Sequence, residues 1–412
     1  MAADAPRPEK SRRALLWTST TYFGEGLPWS FLHQMVTEFM TALGRSSTQV
    51  TATSALHTAV GLKFLWSPVL DLFGRRRTWV WGLQLLLGGG MFVVAALAPS
   101  KNMVAIWTAV SLLAIVHATH DIACDGFYLQ ALDRHGQALY SGTRLGAYRL
   151  ALIVGSSALV YLAGKTSWLL GFGAAGVVML VTALVNAVVM PKPPEGHGDP
   201  PGTPTGAHKA PAFLEAFRSF VIQPQAVRVL AFLVTYRLGD ILMFNISKPL
   251  LRDLGIGTAQ RGVLNGLGTG ASIVGVILGG ALVARRGLAR TLVPLIYMQN
   301  LAIPLYLGMA VFKPGYAGVT AVVFVEQFAA GLGLAASNVF IMQRCRRAFS
   351  ASHFAMATSL VAWVAVGAGL ISGPIDDWLG HRLFFTLAFV ASIPSLILVW
   401  FVPTDPIEAE TA

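Results

Sequence analysis

The chain runs to 412 residues, 55% of them hydrophobic and only 12% charged. Ordinary soluble domains carry roughly twice that share of charge, so too little polar side chain is present to coat a water-soluble globule. The net charge of +11 does not mark a nucleic-acid partner, because the bases fall in short breaks between apolar runs, where membrane topology needs them.

A spanning helix takes roughly 20 apolar residues. The runs predict spans over 14–40, 48–71, 78–98, 103–132, 141–164 and 167–190, then 224–249, 259–284, 288–312, 316–343, 354–376 and 383–403. The stretch after Arg13 is too long for a cleavable signal, and no small-residue cleavage site follows it, so it reads as the first span. Between the sets lies 191–212, rich in proline and glycine, which reads as a flexible linker. Phe213, Leu214, Phe217 and Phe220 then recur at helical spacing with Glu215 and Arg218 between them, the pattern of a short amphipathic helix lying on the membrane face. The resulting division is a tail over 1–13, a six-helix bundle over 14–190, a linker over 191–223, a second bundle over 224–403 and a tail over 404–412.

With the N-terminus inside, the inner segments hold most of the Lys and Arg, among them Arg12, Arg13, Arg75, Arg76, Arg77, Arg144, Arg285 and Arg286. The outer segments hold few, among them Arg45, Lys101, Arg252 and Arg261. The bias predicts cytoplasmic termini and a cytoplasmic linker. Cys124 and Cys345 fall in or beside predicted helices and imply no disulfide framework.

The halves echo each other. Thr21-Tyr22 leads to Gly24-Glu25, as Thr235-Tyr236 leads to Gly239-Asp240. Leu43-Gly44 with Gln49 matches Leu254-Gly255 with Gln260, and Arg75-Arg76 matches Arg285-Arg286. The common order and register predict an internal repeat of two six-helix bundles.

The run Ser67-Pro68-Val69-Leu70-Asp71-Leu72-Phe73-Gly74-Arg75-Arg76 resembles the major facilitator signature between the second and third helices. Its Asp, Gly and paired Arg are Asp71, Gly74, Arg75 and Arg76; the second half keeps Arg285-Arg286 but has Leu282 at the Asp position. Within that superfamily the chain resembles AmpG-type muropeptide permeases and the related acetyl-CoA transporters. The resemblance is carried by Gly26-Leu27-Pro28, Leu62 to Pro68, Asp121-Ile122-Ala123-Cys124-Asp125, Tyr148-Arg149-Leu150, Tyr236-Arg237-Leu238, Val325 to Phe328 and Phe349 to Ser352. It departs at Glu25, at His120 where the family often has Gln, and at Gly239 where it often has Pro. The resemblance implies twelve helices in two pseudo-symmetric bundles, alternating access and anhydromuropeptide import with protons across a bacterial cytoplasmic membrane. It also implies a gating latch at Asp71, Gly74, Arg75 and Arg76; the other reading of these residues is topology-setting charge.

An ionisable group in hydrocarbon costs several kcal/mol unless it meets a partner or water, so such groups mark function. His117, Asp121 and Asp125 sit at i, i+4 and i+8 on one face of the fourth span, with His120 and Tyr128 beside them. Asp125, Asp121 and Glu25 are the candidates for carrying a proton; the other reading makes them fixed counter-ions or polar contacts. Arg149, Arg237 and Lys63, with His117, His120, Tyr128 and Asp240, are the candidates for binding an anionic solute. The alternatives are locks of Arg149 on Asp121 or Asp125 and of Arg237 on Asp240, and a snorkelling Lys63. Glu326 reads as a structural partner, and His33 and His57 as core histidines. No Gly-rich loop followed by Lys-Ser/Thr is present, so ATP is not expected to drive the protein. A metal site on the His117–Asp125 stripe lacks supporting ligands. The sequence therefore predicts a transporter and not an enzyme, taking a small polar solute and protons, embedded in a bilayer as a monomer, with no cofactor and no nucleic acid. An acyl-CoA-like cargo, or a uniport or antiport cycle, is the alternative.

Overall fold

A computed structural model describes residues 8–66, 70, 74–132, 134–192, 217–346, 350–405 and 407. Every regular element among them is helical. Helix α1 runs through Pro8–Ser30, a π-helical turn Phe31–Met35 and Val36–Ala42. Helix α2 is irregular: Ser47–Thr51, a 3-10 turn Ala52–Leu56, His57–Leu62 and a second 3-10 turn Lys63–Leu65. Then come α3 (Arg76–Leu97) and α4 (Met103–Ala131). Helix α5 runs through Arg134–Ile153, a π turn Val154–Leu159 and Val160–Lys165, and α6 is Trp168–Val189. Helix α7 is broken at Tyr236-Arg237 into Ala226–Thr235 and Leu238–Asp253. Helices α8 (Thr258–Arg286), α9 (Leu288–Leu301 and Ile303–Phe312) and α10 (Tyr316–Gln343) follow. The last helical stretch, Ser350–Leu398, is divided into α11 and α12 at Gly380, whose φ of 72° only glycine adopts freely.

Nine helices among the described residues are long and apolar enough to cross a membrane. One of them, Met356–Leu398, spans the break at Gly380 and so contributes two crossings. The polar α1 and the interrupted α2 complete the set. Large apolar side chains such as Val104, Val188, Val227 and Phe312 stand exposed, which hydrocarbon tolerates and water does not.

Chain contacts divide the protein into two compact units, the first Met1–Leu43, Leu56–Pro200 and Gly257–Gly266, the second Gly44–Ala55, Pro201–Ile256 and Leu267–Ala412. The start of α8 thus belongs to the first unit and the start of α2 to the second. In the first, Trp17, Tyr22, Phe127 and Tyr128 form one aromatic core and Phe31, Phe39, Trp168 and Phe172 another. The α8 start is bound there by a buried ion pair. Arg261 Nε donates to Glu38 Oε2 at 2.8 Å, with side-chain exposures of 3% and 0%. Asn265 Nδ2 donates to Glu38 Oε1 at 3.1 Å and to the Ser156 carbonyl at 3.2 Å. Gly262 and Gly266 make room for this approach, since a Cβ on them would lie 2.7 Å from the Tyr161 nitrogen and 2.4 Å from Ser157 Oγ.

The second unit is built on Phe232, Leu292, Ile296, Phe340 and Val399. Its α2 segment is held by α11. The Asp377 carboxylate accepts from the Ser47 and Thr48 backbone N–H groups, both at 2.9 Å, and Ser47 Oγ donates to Asp376 at 2.5 Å. Phe213 and Leu214 of the expected amphipathic helix lie outside the described residues; Phe217 and Phe220 lie in a helical turn over 217–221, with Phe220 buried.

Candidate functional site

The first unit gathers a polar cluster from four helices, in which Tyr22 and Glu25 are buried and Lys63, Asp121, Asp125 and Arg144 are partly exposed. On α1, Tyr22 and Glu25 lie one turn apart; on α4, Asp121 and Asp125 share a face; α2 brings Lys63 and α5 brings Arg144. Asp125 Oδ1 accepts from Arg144 Nη2 at 2.6 Å and from the Tyr22 hydroxyl at 2.9 Å. The Arg144 guanidinium also lies 4.4 Å from the Tyr22 ring centre and 5.4 Å from that of Tyr128, within cation–π range. Asp121 is ion-paired with Lys63. Glu25 is 6% exposed, and its Oε2 has no hydrogen-bond partner.

The cluster holds three carboxylates and two directly paired cations. Glu25 is the one of the three carboxyls with no directly paired cation among the described residues.

Of the expected locks, the one on Asp125 is made by Arg144, and Asp121 pairs with Lys63. Arg149 is half-buried beside Tyr148 and has no ion pair among the described residues. Sequence reasoning counted Arg144 with the cytoplasmic bases. Because α5 begins at Arg134, that residue stands ten positions into the helix, roughly 15 Å along it. His117 is 3% exposed with an unpartnered Nδ1, and His120 is fully buried with Nε2 at 3.3 Å from Cys124 Sγ. The Tyr128 hydroxyl donates to the Gln137 carbonyl at 2.6 Å.

The second unit has its own buried cluster. Arg237, at the break in α7, donates to Asp240 Oδ2 at 3.2 Å. Glu326 on α10 accepts from the Tyr306 hydroxyl at 3.3 Å and from Gln327 Nε2 at 3.0 Å. Arg237 and Asp240 thus pair with each other within this unit, and Glu326 takes its hydrogen bonds from Tyr306 and Gln327.

At the signature, Asp71 lies outside the described residues. Gly74 has φ of +75°, and Arg75 is exposed at the N-cap of α3. Arg76 Nη1 donates to the Gly126 carbonyl at 2.9 Å, and Arg77 donates to the Met190 carbonyl at 3.1 Å and to that of Ala187. The two bases therefore satisfy carbonyls near the ends of α4 and α6, where a helix dipole favours positive charge.

The sequence matches the model of the Major Facilitator Superfamily over residues 14–357. An anhydromuropeptide permease of Escherichia coli K12 is 26% identical over 384 residues, which cover 92% of this chain and 77% of that protein. A Rickettsia conorii protein named as an AmpG transporter is 21% identical over 390 residues, covering 92% and 94%. Among solved structures, a variant of the peptide transporter POT superposes with a TM-score of 0.71 at 14% identity, covering 94% of this chain and 93% of that one. The nucleoside transporter NupG, also as a variant, gives 0.68 at 14% identity, covering 97% and 100%. These likenesses show the all-α transporter fold, and twelve membrane helices fit it, counting the nine apolar spans, the second crossing at Gly380, α1 and α2.

Proposed function

Because the chain belongs to the major facilitator superfamily, we propose that it imports an anionic, anhydromuropeptide-like solute into the cytosol together with protons. It is a multi-pass membrane transporter and not an enzyme. The relatives named as anhydromuropeptide permease and AmpG transporter support the cargo class. The charge arrangement supports the coupling.

The observation that carries the coupling is the odd carboxyl. Glu25 takes up a proton, and Asp121 with its Lys63 partner is the neighbouring charge that responds. Asp125, held by Arg144 and Tyr22, serves as a fixed counter-ion. Arg149 supplies a cation for the cargo's carboxylate. Arg75 and Arg76, with Gly74 and Asp71, serve as the cytoplasmic latch. We place the bundles 14–190 and 224–403 in a bacterial inner membrane as a monomer, with the tails and the linker 191–223 in the cytosol.

The test is uptake by proteoliposomes. Anhydromuropeptide should enter in response to an imposed inward proton gradient. Glu25→Gln should lose gradient-driven uptake while exchange of internal for external cargo persists, because exchange needs no net proton movement. Full gradient-driven uptake by that variant would remove Glu25 as the carrier. No wild-type response to the gradient would remove proton coupling altogether.

A further inference from the structure

Above the charged cluster the first unit carries a second layer, made of aromatic and imidazole rings. On α1, Trp29 and His33 continue the face of Glu25 at i+4 and i+8. On α4, His117 continues the face of Asp125 and Asp121 in the opposite sense, and α2 brings His57. Tyr22 bonds Asp125 in the charged layer. The His33 and His57 rings stack with centres 3.5 Å apart and planes 24° from parallel. Trp29 stands 5.1 Å from His33 and 6.1 Å from His57, edge-on to the latter. Trp29 and His57 are only partly buried, so ring surface remains open. The chain widens directly after Trp29, in the π turn Phe31–Met35, a departure that clusters at functional sites.

We propose that Trp29 and His57, backed by His33, form the subsite for a sugar ring of the cargo, and that the charged layer below takes its acidic chain. The inference rests on the cargo class proposed above and assigns its parts. A pyranose has a face of polarised C–H bonds and a rim of hydroxyls. The C–H face suits the negative face of an indole or imidazole ring. The hydroxyls suit buried polar atoms that lack a protein partner, and two lie at the layer boundary: His117 Nδ1, on a residue 3% exposed, and Glu25 Oε2, on one 6% exposed. A carboxylate of the attached chain suits Lys63, whose side chain is 33% exposed. A plain anion would leave the ring layer unused, and a neutral sugar would leave the charged layer unused; a sugar bearing an acidic peptide fills both.

Equilibrium binding to the full chain in nanodiscs tests this with two probes, an anhydromuramyl peptide and the same peptide without its sugar. The wild type should prefer the sugar-bearing probe roughly tenfold, the equivalent of about 1.4 kcal/mol. Trp29→Ala and His57→Ala should each erase most of that preference and leave the bare-peptide affinity in place, which also shows that the variants are folded. Trp29→Phe should keep most of it. Equal weakening of both probes in the two alanine variants would overturn the subsite, as would a wild type with no preference. A wild type that binds neither probe would instead overturn the cargo class itself.

Discussion

Removing Arg261 should destabilise the protein far more than removing both Arg261 and its partner. The Arg261–Glu38 pair is almost wholly shielded from solvent. Arg261→Leu would remove the cation facing the Glu38 carboxylate and leave it the Asn265 amide, a neutral donor. Breaking a buried ion pair on one side costs about 3–5 kcal/mol, because a charge is stranded. In the double variant Glu38→Met with Arg261→Leu no charge is stranded, and Asn265 keeps the Ser156 carbonyl. Apolar replacements of a whole pair come near neutrality, so the double variant should lose only about 1 kcal/mol, the net worth of one hydrogen bond. Thermal unfolding of purified protein in detergent, followed by tryptophan fluorescence, gives the comparison. A double variant as unstable as the sum of the two single variants would refute the coupling.

Further outcomes follow from the packing. A Cβ on Gly331 would lie 2.2 Å from the Ser272 carbonyl, so Gly331→Ala should lower stability by about 1–3 kcal/mol through overpacking of α8 against α10, read in the same unfolding assay. Asp377→Ala removes the acceptor of two backbone N–H groups at the start of α2 and should cost about 0.5–2 kcal/mol, the usual worth of a helix cap; Asp377→Asn should recover part of it. Arg344 is buried and donates to Gln223 and to the Pro224 and Asp405 carbonyls. Arg344→Ala should therefore cost about 1–3 kcal/mol by leaving buried acceptors unmatched, and should speed proteolysis of the C-terminal segment.

The helices were legible because hydrocarbon imposes a coarse rule that composition alone satisfies. The polar face of α4 was legible for a related reason: charge is so expensive there that Asp121 and Asp125, four residues apart, each had to find a partner. Their partners were harder to read. Lys63 lay near a predicted helix end, where a long side chain has another way out. Arg144 was hidden by its neighbourhood, since a base near a cytoplasmic boundary serves topology by default and only the observed start of α5 shows how deep it sits. Arg149, its near neighbour on the same helix, drew the assignment that Arg144 fulfils. Glu38 and Arg261 are separated by 223 positions, and a charge count along the chain assigns Arg261 to an outer loop. Pro28 lies inside the regular stretch Pro8–Ser30, and the widened turn comes after it, at Phe31–Met35.

That turn has a consequence for how α1 works. A π turn is a dislocation in a helix, one residue too many in the ring. A dislocation of this kind migrates by exchanging one hydrogen-bond acceptor for the next, with no unwinding of the rod on either side. As it slips along, the length of rod it passes swivels about its own axis. Tyr22, Glu25 and Trp29 lie on one side of the fault and Glu38 on the other. Such a slip would re-aim Tyr22, Glu25 and Trp29, the groups proposed above to serve the proton and the sugar, while Glu38 keeps its bond to Arg261.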